Sequence, residues 1–318
     1  MTSLRWWNPE IVNLSCKKLV AVTGATGFIG QRLVSSLGAA GWRVKAITRK
    51  KKANTDFVNW IHGDLDNLAA LNDLVRDASA VIHCAGTVRG SSFDEFSHIN
   101  VTGTKNLLDV VVKQKQPPRF LFISSLAARQ SELSWYAKSK KQAEQLVIDP
   151  TLGLSWTIFR PTAVYGPGDK ELKPLFQAAS KGFLPVVGQL QNRFGLLHVD
   201  DLISAIRTWL DFNASCPGIY ELDDGMAGGY SFQSLATLAQ EIWNRPVRCV
   251  VVPHFLIRNA AIVNLWLARI LRYSPMLTPG KVKELHHDDW VCDNAPLIRA
   301  LPQWQPRIRL QDALPQLL

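Results

Sequence analysis

Residues 18–30 read KLVAVTGATGFIG, an apolar run followed by three glycines at three-residue spacing. The pattern predicts a buried strand, a tight phosphate-binding turn and the start of a helix. Gly24 allows the turn at the strand end, Gly27 lets backbone N–H groups approach a pyrophosphate, and Gly30 lets the helix pack closely on the sheet. In this context we expect a dinucleotide site rather than an ordinary glycine-rich turn. Its expected contacts come from Gly24, Thr26, Gly27, Phe28, Ile29 and Gly30.

Strand-like and helix-like segments then alternate along the chain. Short apolar segments rich in β-branched or aromatic residues lie at 43–48, 80–84, 119–124 and 154–160. Segments with apolar residues at three- and four-residue spacing lie at 28–40, 68–76, 101–115 and 135–147. This alternation is typical of crossover helices on a parallel sheet, so we predict an α/β fold with a doubly wound Rossmann sheet and a smaller C-terminal substrate lobe. The expected division is an N-terminal extension at 1–17, a dinucleotide-binding domain at 18–225 and a substrate lobe at 226–318, to which 166–196 contribute.

The composition is that of an ordinary globular protein, with 318 residues of which 47% are hydrophobic and 19% charged. No run approaches the ~20 uncharged apolar residues that a membrane-spanning helix needs, and the N-terminus lacks the pattern of a secretory signal. The five cysteines are odd in number and none forms a C-x-x-C pair, which favours reduced thiols over disulfides or zinc. We therefore expect a cytoplasmic protein without a metal site.

The formal net charge of +10 includes one local basic run, Arg49-Lys50-Lys51-Lys52. A nucleic-acid-binding protein would show a basic stripe with interleaved aromatic residues or a known module, and the sequence shows neither, so we expect no nucleic-acid partner. The run follows the second predicted strand, where the adenosine ribose of a dinucleotide would lie. Because Arg49 stands where NAD-preferring sites usually carry Asp or Glu, the sequence favours NADP over NAD. A solvated charge run is the alternative interpretation.

A second set of polar residues lies at the end of the strand predicted at 119–124. Ser124 and Ser125 end this strand, and Tyr136 and Lys140 follow on a predicted helix, four residues apart and therefore on one face. A Tyr-x-x-x-Lys pair alone is a weak signal, since an exposed helix face would also produce it. Its position after the serine-bearing strand indicates a catalytic site, because ligands of such sheets bind at the carboxyl ends of the strands.

Further motifs occur in order along residues 18–225. They are His62-Gly63-Asp64-Leu65, Cys84-Ala85-Gly86, NVTGTKNL at 100–107, Arg160-Pro161, YGPGD at 165–169 and HVDD at 198–201. Together with the glycine turn and the Ser, Tyr and Lys residues, they resemble the short-chain dehydrogenase/reductase superfamily, in its extended or atypical branch of NAD-dependent epimerases/dehydratases and 3β-hydroxysteroid-dehydrogenase-like enzymes. The resemblance fades beyond residue 225.

This resemblance implies roles for several residues. Asp64 would meet the adenine, and Asn100 would help to seat the active-site helix. The remaining cofactor contacts would come from Leu65, Ala85, Gly86, Tyr136, Lys140 and Pro161. The substrate would be a small molecule bound beside the nicotinamide.

The expected chemistry follows from the acidities of three side chains. A free tyrosine has a pKa of about 10, and a lysine ammonium one turn away together with a positive nicotinamide ring would favour its phenolate. Tyr136 is then the proton shuttle between a hydroxyl and a keto group. Ser125 would hydrogen-bond the reacting oxygen, with Ser124 as the alternative, and Lys140 would also hold the nicotinamide ribose.

Two departures from the family pattern narrow the reaction. Leu126-Ala127 follow Ser125 where nucleotide-sugar dehydratases carry an Asp-Glu pair, so dehydration is not expected. The loop from Ser125 to Tyr136 is shorter than in nucleotide-sugar epimerases, which favours a less polar substrate. The leading hypothesis is an NADP-dependent oxidoreductase acting on a small, fairly apolar molecule. The alternatives are a sugar-nucleotide epimerase with the same triad and a non-catalytic dinucleotide-binding assembly protein.

Four other features each allow two interpretations. The apolar segment 255–273 is predicted to be a lobe helix lining the substrate pocket, with docking on a membrane surface as the alternative. HHDD at 286–289 is predicted to be a polar loop rather than a metal site. His198 would precede a helix capped by an acidic residue or lie at the cleft rim, and Arg193 would meet an anionic substrate or solvent. The chain could also form a homodimer.

Overall fold

The computed structural model describes residues 19–212 and 216–317, so the extension predicted at 1–17 lies outside the described residues. The strands are β1 Leu19–Thr23, β2 Arg43–Thr48, β3 Val58–His62, β4 Ala80–His83, β5 Arg119–Ile123, β6 Trp156–Pro161, β7 Ala163–Tyr165, β8 Phe183–Val186, β9 Arg193–Phe194, β10 Leu196–His198, β11 Ile219–Leu222, β12 Tyr230–Ser231, β13 Arg248–Val251 and β14 Asp289–Trp290. The helices are α1 Phe28–Ala39, α2 Leu68–Val75, α3 Phe93–Ser97, α4 Gly103–Val111, α5 Trp135–Val147, α6 Lys173–Ser180, α7 Val199–Asp211, α8 Phe232–Trp243, α9 His254–Leu271, α10 Pro279–His286, α11 Ala295–Ala300 and α12 Leu310–Ala313. A π-helical turn, His98–Thr102, joins α3 to α4.

Seven strands form one sheet in the order β11-β6-β5-β4-β1-β2-β3, and every neighbouring pair is parallel. Strand β1 shows why both faces are covered. Its Val20 and Val22 enter one core and Ala21 enters the other, because successive side chains of a strand point to opposite faces. Helices α1 and α7 cover the first face, and α2, α4 and α5 cover the second. The predicted doubly wound α/β fold is confirmed.

The sequence prediction missed two strands of this sheet, β3 and β11. Both lie at its edges. Their sequences, VNWIH and IYEL, interrupt the apolar run with polar residues because one side of an edge strand meets solvent or a loop. The apolar signal that identified the central strands is therefore weaker at both edges.

A third core cluster lies outside the central sheet. Tyr165, Phe176 and Leu196 contribute to it from the segment after β6, and Tyr230 and Leu235 contribute from beyond residue 225. Helix α11 instead adds Leu297 to the core under α1 and α7. Residues beyond 225 thus pack into two different core clusters. The domain boundaries given above stay a prediction.

Candidate active site

The glycine turn after β1 is shaped by close backbone contacts. Gly24 has a φ of +67°, and a Cβ there would lie 2.6 Å from the backbone nitrogen of Ala85. A Cβ on Gly30 would lie 2.1 Å from the carbonyl oxygen of Gly24. Gly27 caps α1, and its N–H donates to Gly24 at 3.0 Å. This narrow turn, with a helix N-terminus at its end, has the shape and polarity that a pyrophosphate needs.

A cleft of about 1330 Å³ extends from this turn across the carboxyl ends of the strands to the C-terminal lobe. It brings together most of the residues predicted from the sequence. Those that line it are Gly24, Thr26, Gly27, Phe28, Ile29, Gly30, Gly86, Ser125, Tyr136, Lys140 and Pro161.

Five predicted residues do not line this cleft. Arg49 is exposed directly after β2, and exposed Asp64 accepts a hydrogen bond from the Asp66 N–H at 3.0 Å. Leu65 packs against Gly103, where a Cβ would lie 2.5 Å from the leucine methyl. The Ala85 N–H donates to the Thr23 hydroxyl at 3.2 Å. Asn100 lies directly next to Gly86. Contacts of these residues with a cofactor stay predictions.

Ser125 and Tyr136 meet in the cleft. Tyr136 lies in the first turn of α5, which Ser134 caps, and it is close enough to Ser125 for that side chain to lower the pKa of its hydroxyl. Ser125 also accepts from the Ala127 N–H at 3.2 Å. Ser124, the alternative partner, donates instead to buried Glu144 at 2.6 Å. The geometry therefore favours Ser125 as the serine facing a substrate.

Lys140 lies one turn further along α5 and is almost fully buried. Its ammonium donates to the carbonyl oxygen of Ile123 at 2.8 Å and lies 4.2 Å from the centre of the Phe122 ring. Burial lowers the pKa of Lys140 to about 8, although nearby Glu144 opposes this shift. The lysine is thus anchored at the end of β5, beside the serine.

The protein surroundings alone do not favour the Tyr136 phenolate, contrary to the effect expected of Lys140. Burial raises the pKa of Tyr136 to about 12, even though the neighbouring Ser125 side chain lowers it. Glu284 and Glu144 add to the increase because negative charges disfavour a phenolate. A positive nicotinamide ring, which the cleft beside Tyr136 has room for, would act in the opposite direction.

Glu284 is a residue of the site that no sequence motif predicted. It is buried in α10 beside the cleft, accepts a hydrogen bond from Ser134 and pairs with Lys281 at 2.7 Å. Through Ser134, the residue that caps α5, it ties the lobe to the helix that carries Tyr136. Sequence motifs end before residue 225, so no local signal identified it.

Asn100 lies in the π-helical turn and holds two parts of the site. Its side chain accepts from the Thr87 N–H at 2.8 Å and donates to Ser139 of α5 at 2.8 Å. A Cβ on Gly86 would lie 3.1 Å from its Oδ1. These contacts join the segment at Thr87 to α5, and the seating role that the family resemblance implied stays a prediction.

A buried histidine that the sequence analysis overlooked links this turn to β1. His83 lies 2.6 Å from the Thr23 hydroxyl through Nδ1 and 2.9 Å from the Thr104 hydroxyl through Nε2. Thr104 donates to the Asn100 carbonyl at 2.6 Å, so its oxygen accepts from Nε2–H. Thr23 then donates to Nδ1 while accepting from the Ala85 N–H. The chain of bonds assigns one neutral tautomer to His83.

His83 should make the fold sensitive to acid. Burial lowers the pKa of His83 from 6.5 to about 3. Between pH 3 and pH 6.5 the imidazole is therefore protonated in the unfolded chain and neutral in the folded chain. Its contribution to stability is complete above pH 6.5 and is lost as the pH falls towards 3. In His83→Gln, the unfolding free energy should depend less steeply on pH in this window, by up to about 1.4 kcal/mol per pH unit.

Urea denaturation from pH 3 to 7 checks this expectation. Exposed His98, which pairs with Asp66 at 3.1 Å, provides the matched control His98→Gln. If both variants keep the wild-type slope, His83 is not the group that responds to acid.

The lobe side of the cleft is mainly apolar. Its apolar side chains include Phe176, Leu196, Phe232, Met276, Leu277, Leu285 and Trp290, and Leu126 and Trp135 add to the apolar surface from the dinucleotide-binding part. Arg193 also lines it, and its guanidinium pairs with Asp289, so a contact with an anionic substrate stays a prediction. An apolar ligand would replace water at this wall.

Two interpretations from the sequence need correction. His198, not an acidic residue, caps α7: its Nδ1 accepts from the Asp200 N–H at 3.2 Å. The 255–273 segment forms α9, but no described residue from 254 to 271 lines the cleft, so the predicted pocket-lining role is wrong. Apolar periodicity identified a helix without indicating what its apolar face contacts.

The residues at 286–289 do not form a metal site. His286 contacts the Val282 carbonyl, His287 lies against Trp290, and Asp289 pairs with Arg193. Within 19–212 and 216–317 no group of three or more His, Cys, Asp or Glu could hold a metal ion.

The chain is similar to known proteins in sequence and in fold. The model of the NAD dependent epimerase/dehydratase family matches residues 20–222. Ceramide reductase from Caulobacter vibrioides is 33% identical over 292 residues, covering 89% of both chains. UDP-glucose 4-epimerase from Vibrio cholerae is 28% identical over 259 residues, covering 72% of this chain and 79% of the epimerase. The structure of UDP-glucuronic acid 4-epimerase from Bacillus cereus, in complex with UDP-glucuronic acid and NAD, shares the fold with a TM-score of 0.72 at 19% identity, covering 93% of this chain and 96% of that one.

Proposed function

The chain belongs to the NAD dependent epimerase/dehydratase family and is an oxidoreductase of that family, and we propose that it interconverts a hydroxyl and a keto group on a lipid-like substrate. The observation that carries this proposal is that Ser125 and Tyr136 lie together in a cleft whose wall is mainly apolar. In this proposal NADP is preferred over NAD. A cytoplasmic location and a homodimer, both expected from the sequence, stay predictions.

The proposed chemistry divides the work among three side chains. When bound, the nicotinamide cofactor supplies or accepts the hydride at the reacting carbon. Ser125 hydrogen-bonds the reacting oxygen, and Tyr136 donates its proton to that oxygen in reduction or takes it in oxidation. Lys140, close to the strand end, would hold the nicotinamide ribose.

The apolar wall supports a lipid-like substrate over a sugar nucleotide. Burying apolar surface stabilises a ligand by roughly 25 cal/mol per Å², whereas a sugar nucleotide needs polar partners along its length. The ceramide reductase matched along most of the chain is consistent with this substrate class. The sugar-nucleotide epimerase remains the second candidate, because UDP-glucose 4-epimerase is also a relative.

A substrate panel tests the proposal. We expect the protein with NADPH to reduce an N-acylated long-chain 3-keto amine, followed by the loss of NADPH absorbance, and to leave UDP-glucose and UDP-glucuronic acid unchanged. Thermal stabilisation of the NADP-bound protein by the long-chain compound should accompany turnover. Stabilisation and epimerisation of UDP-sugars alone would overturn the lipid assignment in favour of the epimerase.

The cofactor preference depends on Arg49. Its exposed position directly after β2 is where a 2′-phosphate would lie. Arg49→Asp should weaken NADPH binding by about 1–3 kcal/mol, the size of a charge-assisted hydrogen bond, and spare NADH. Fluorescence titration of both cofactors measures the effect. Lys51→Asp makes the same charge change in the same run and is the matched control; equal losses of NADPH and NADH affinity in Arg49→Asp contradict the assignment.

A further inference from the structure

Helix α9 turns an apolar face to the outside of the molecule. Over its 18 residues only Ala261 and Ala268 are buried, and both point towards the protein. The opposite side, which we call the outer face of α9, carries large exposed side chains, of which Phe255 and Trp266 are each 62% exposed. Its main members are Phe255, Ile262, Val263, Trp266 and Ile270. Contiguous exposed apolar patches of this kind mark interaction surfaces.

The charged residues in the segment that carries this face have one sign. From residue 242 to 283 the sequence contains seven Lys or Arg residues and no Asp or Glu. Arg258 and Arg269 are exposed and eleven residues apart, which brings them to the same edge of the helix after about three turns. Arg272 follows the helix end, and the partly amphipathic rings of Trp266 and Tyr273 are exposed beside it. Aromatic residues and cations around an apolar face suit the boundary between lipid headgroups and acyl chains.

The outer face is also connected to the cleft. The Arg269 side chain donates to the carbonyl of Ser91, and the Gly90 N–H donates to the carbonyl of Pro275, both at 3.3 Å. Directly after these contacts, Met276 and Leu277 line the cleft that contains Tyr136. Anything bound to the outer face of α9 would therefore lie close to the part of the cleft that Met276 and Leu277 line.

We propose that the outer face of α9 docks the protein on a membrane surface that contains anionic lipids. The helix would lie in the plane of the interface, since no helix in the described part of the chain is long and apolar enough to cross a membrane. A second copy of this chain fits the face less well, because two basic faces would repel each other, whereas anionic headgroups neutralise Arg258 and Arg269. The proposal stands on the exposed side chains and charges and does not depend on the catalytic proposal.

Vesicle sedimentation with the full chain tests the proposal. Wild-type protein should bind vesicles of phosphatidylcholine with phosphatidylglycerol at least about ten times more tightly than vesicles of phosphatidylcholine alone, and added salt should weaken this binding. Trp266→Asp/Ile270→Asp should reduce binding at least about tenfold because it introduces charge into the apolar face. Leu68→Asp, an equally polar change at an exposed position of α2, should bind like wild type. Arg258→Gln/Arg269→Gln should lose the preference for the anionic vesicles.

Two controls keep the result interpretable. Thermal unfolding should give the same Tm for wild type and Trp266→Asp/Ile270→Asp, since the replaced side chains are exposed. Light scattering after gel filtration measures the oligomeric state of each. The proposal fails if wild type binds neither vesicle, or if wild type is a dimer that Trp266→Asp/Ile270→Asp converts to a monomer, in which case the face joins two copies of the chain.

Discussion

Tyr136→Phe should lower kcat by about 10²–10⁴-fold while leaving the fold and cofactor affinity nearly unchanged. The change removes only the phenolic oxygen, which shares the cleft with Ser125. The ring would keep its contact with Phe96, 6.3 Å away between centroids. Steady-state turnover of the long-chain ketone and fluorescence titration with NADPH measure the two quantities separately.

Tyr220→Phe is the matched control. Tyr220 lies on edge strand β11 and donates a long, exposed hydrogen bond of 3.4 Å to the Pro217 carbonyl. The same loss of a hydroxyl there should leave kcat unchanged. Substantial activity in Tyr136→Phe would show that another group moves the proton, and equal losses in the two variants would point to a general effect on the fold.

Glu144→Ala should lower the free energy of unfolding by up to about 3–5 kcal/mol, because the largely buried guanidinium of Arg160 then keeps only the longer ion pair with Glu221, at 3.7 Å. Glu144 receives two hydrogen bonds from Arg160, at 2.8 and 2.6 Å, and one from Ser124. It lies one turn beyond Lys140 on α5, so this group of contacts fastens the helix to β6. Urea denaturation at neutral pH measures the loss.

Two further variants show whether the buried pair is the cause. Glu144→Ala/Arg160→Met also removes the guanidinium charge and should recover part of the lost unfolding free energy. Glu171→Ala breaks the more exposed pair between Glu171 and Arg89, at 2.8 Å, and should cost at most about 1 kcal/mol. Similar losses for Glu144→Ala and Glu171→Ala would contradict the assigned importance of burial.

The sequence predicted those parts of the protein where local pattern and backbone geometry coincide. Gly24 and Gly30 were assigned to close backbone contacts, and both contacts occur. Ser125 was preferred over Ser124, and the structure gives a physical reason, since Ser124 is engaged with Glu144. Apolar runs identified the central strands because those strands are buried on both faces.

The sequence could not predict contacts made between distant segments. His83 reads as the polar end of an apolar strand, and only the fold brings Thr23 and Thr104 to its two nitrogens. Glu284 lies beyond the recognisable motifs and acts through Ser134. For α9, apolar spacing predicted the helix, but the same spacing suits a pocket wall and an exposed face.

The π-helical turn between α3 and α4 limits how this part of the chain can change in length. A π turn holds one residue more than an α turn over the same height, and each residue rotates a helix by about 100°. Deleting one residue between 98 and 102 would let the turn relax to α geometry, which keeps the flanking helices in register but shifts the positions of the residues within the turn around the helix axis. Asn100 would then turn away from Thr87 and Ser139, although every ligand-facing residue would still be present. Insertions and deletions are therefore better tolerated in the surface loops than in this π-helical turn, because the length of the turn determines where Asn100 points.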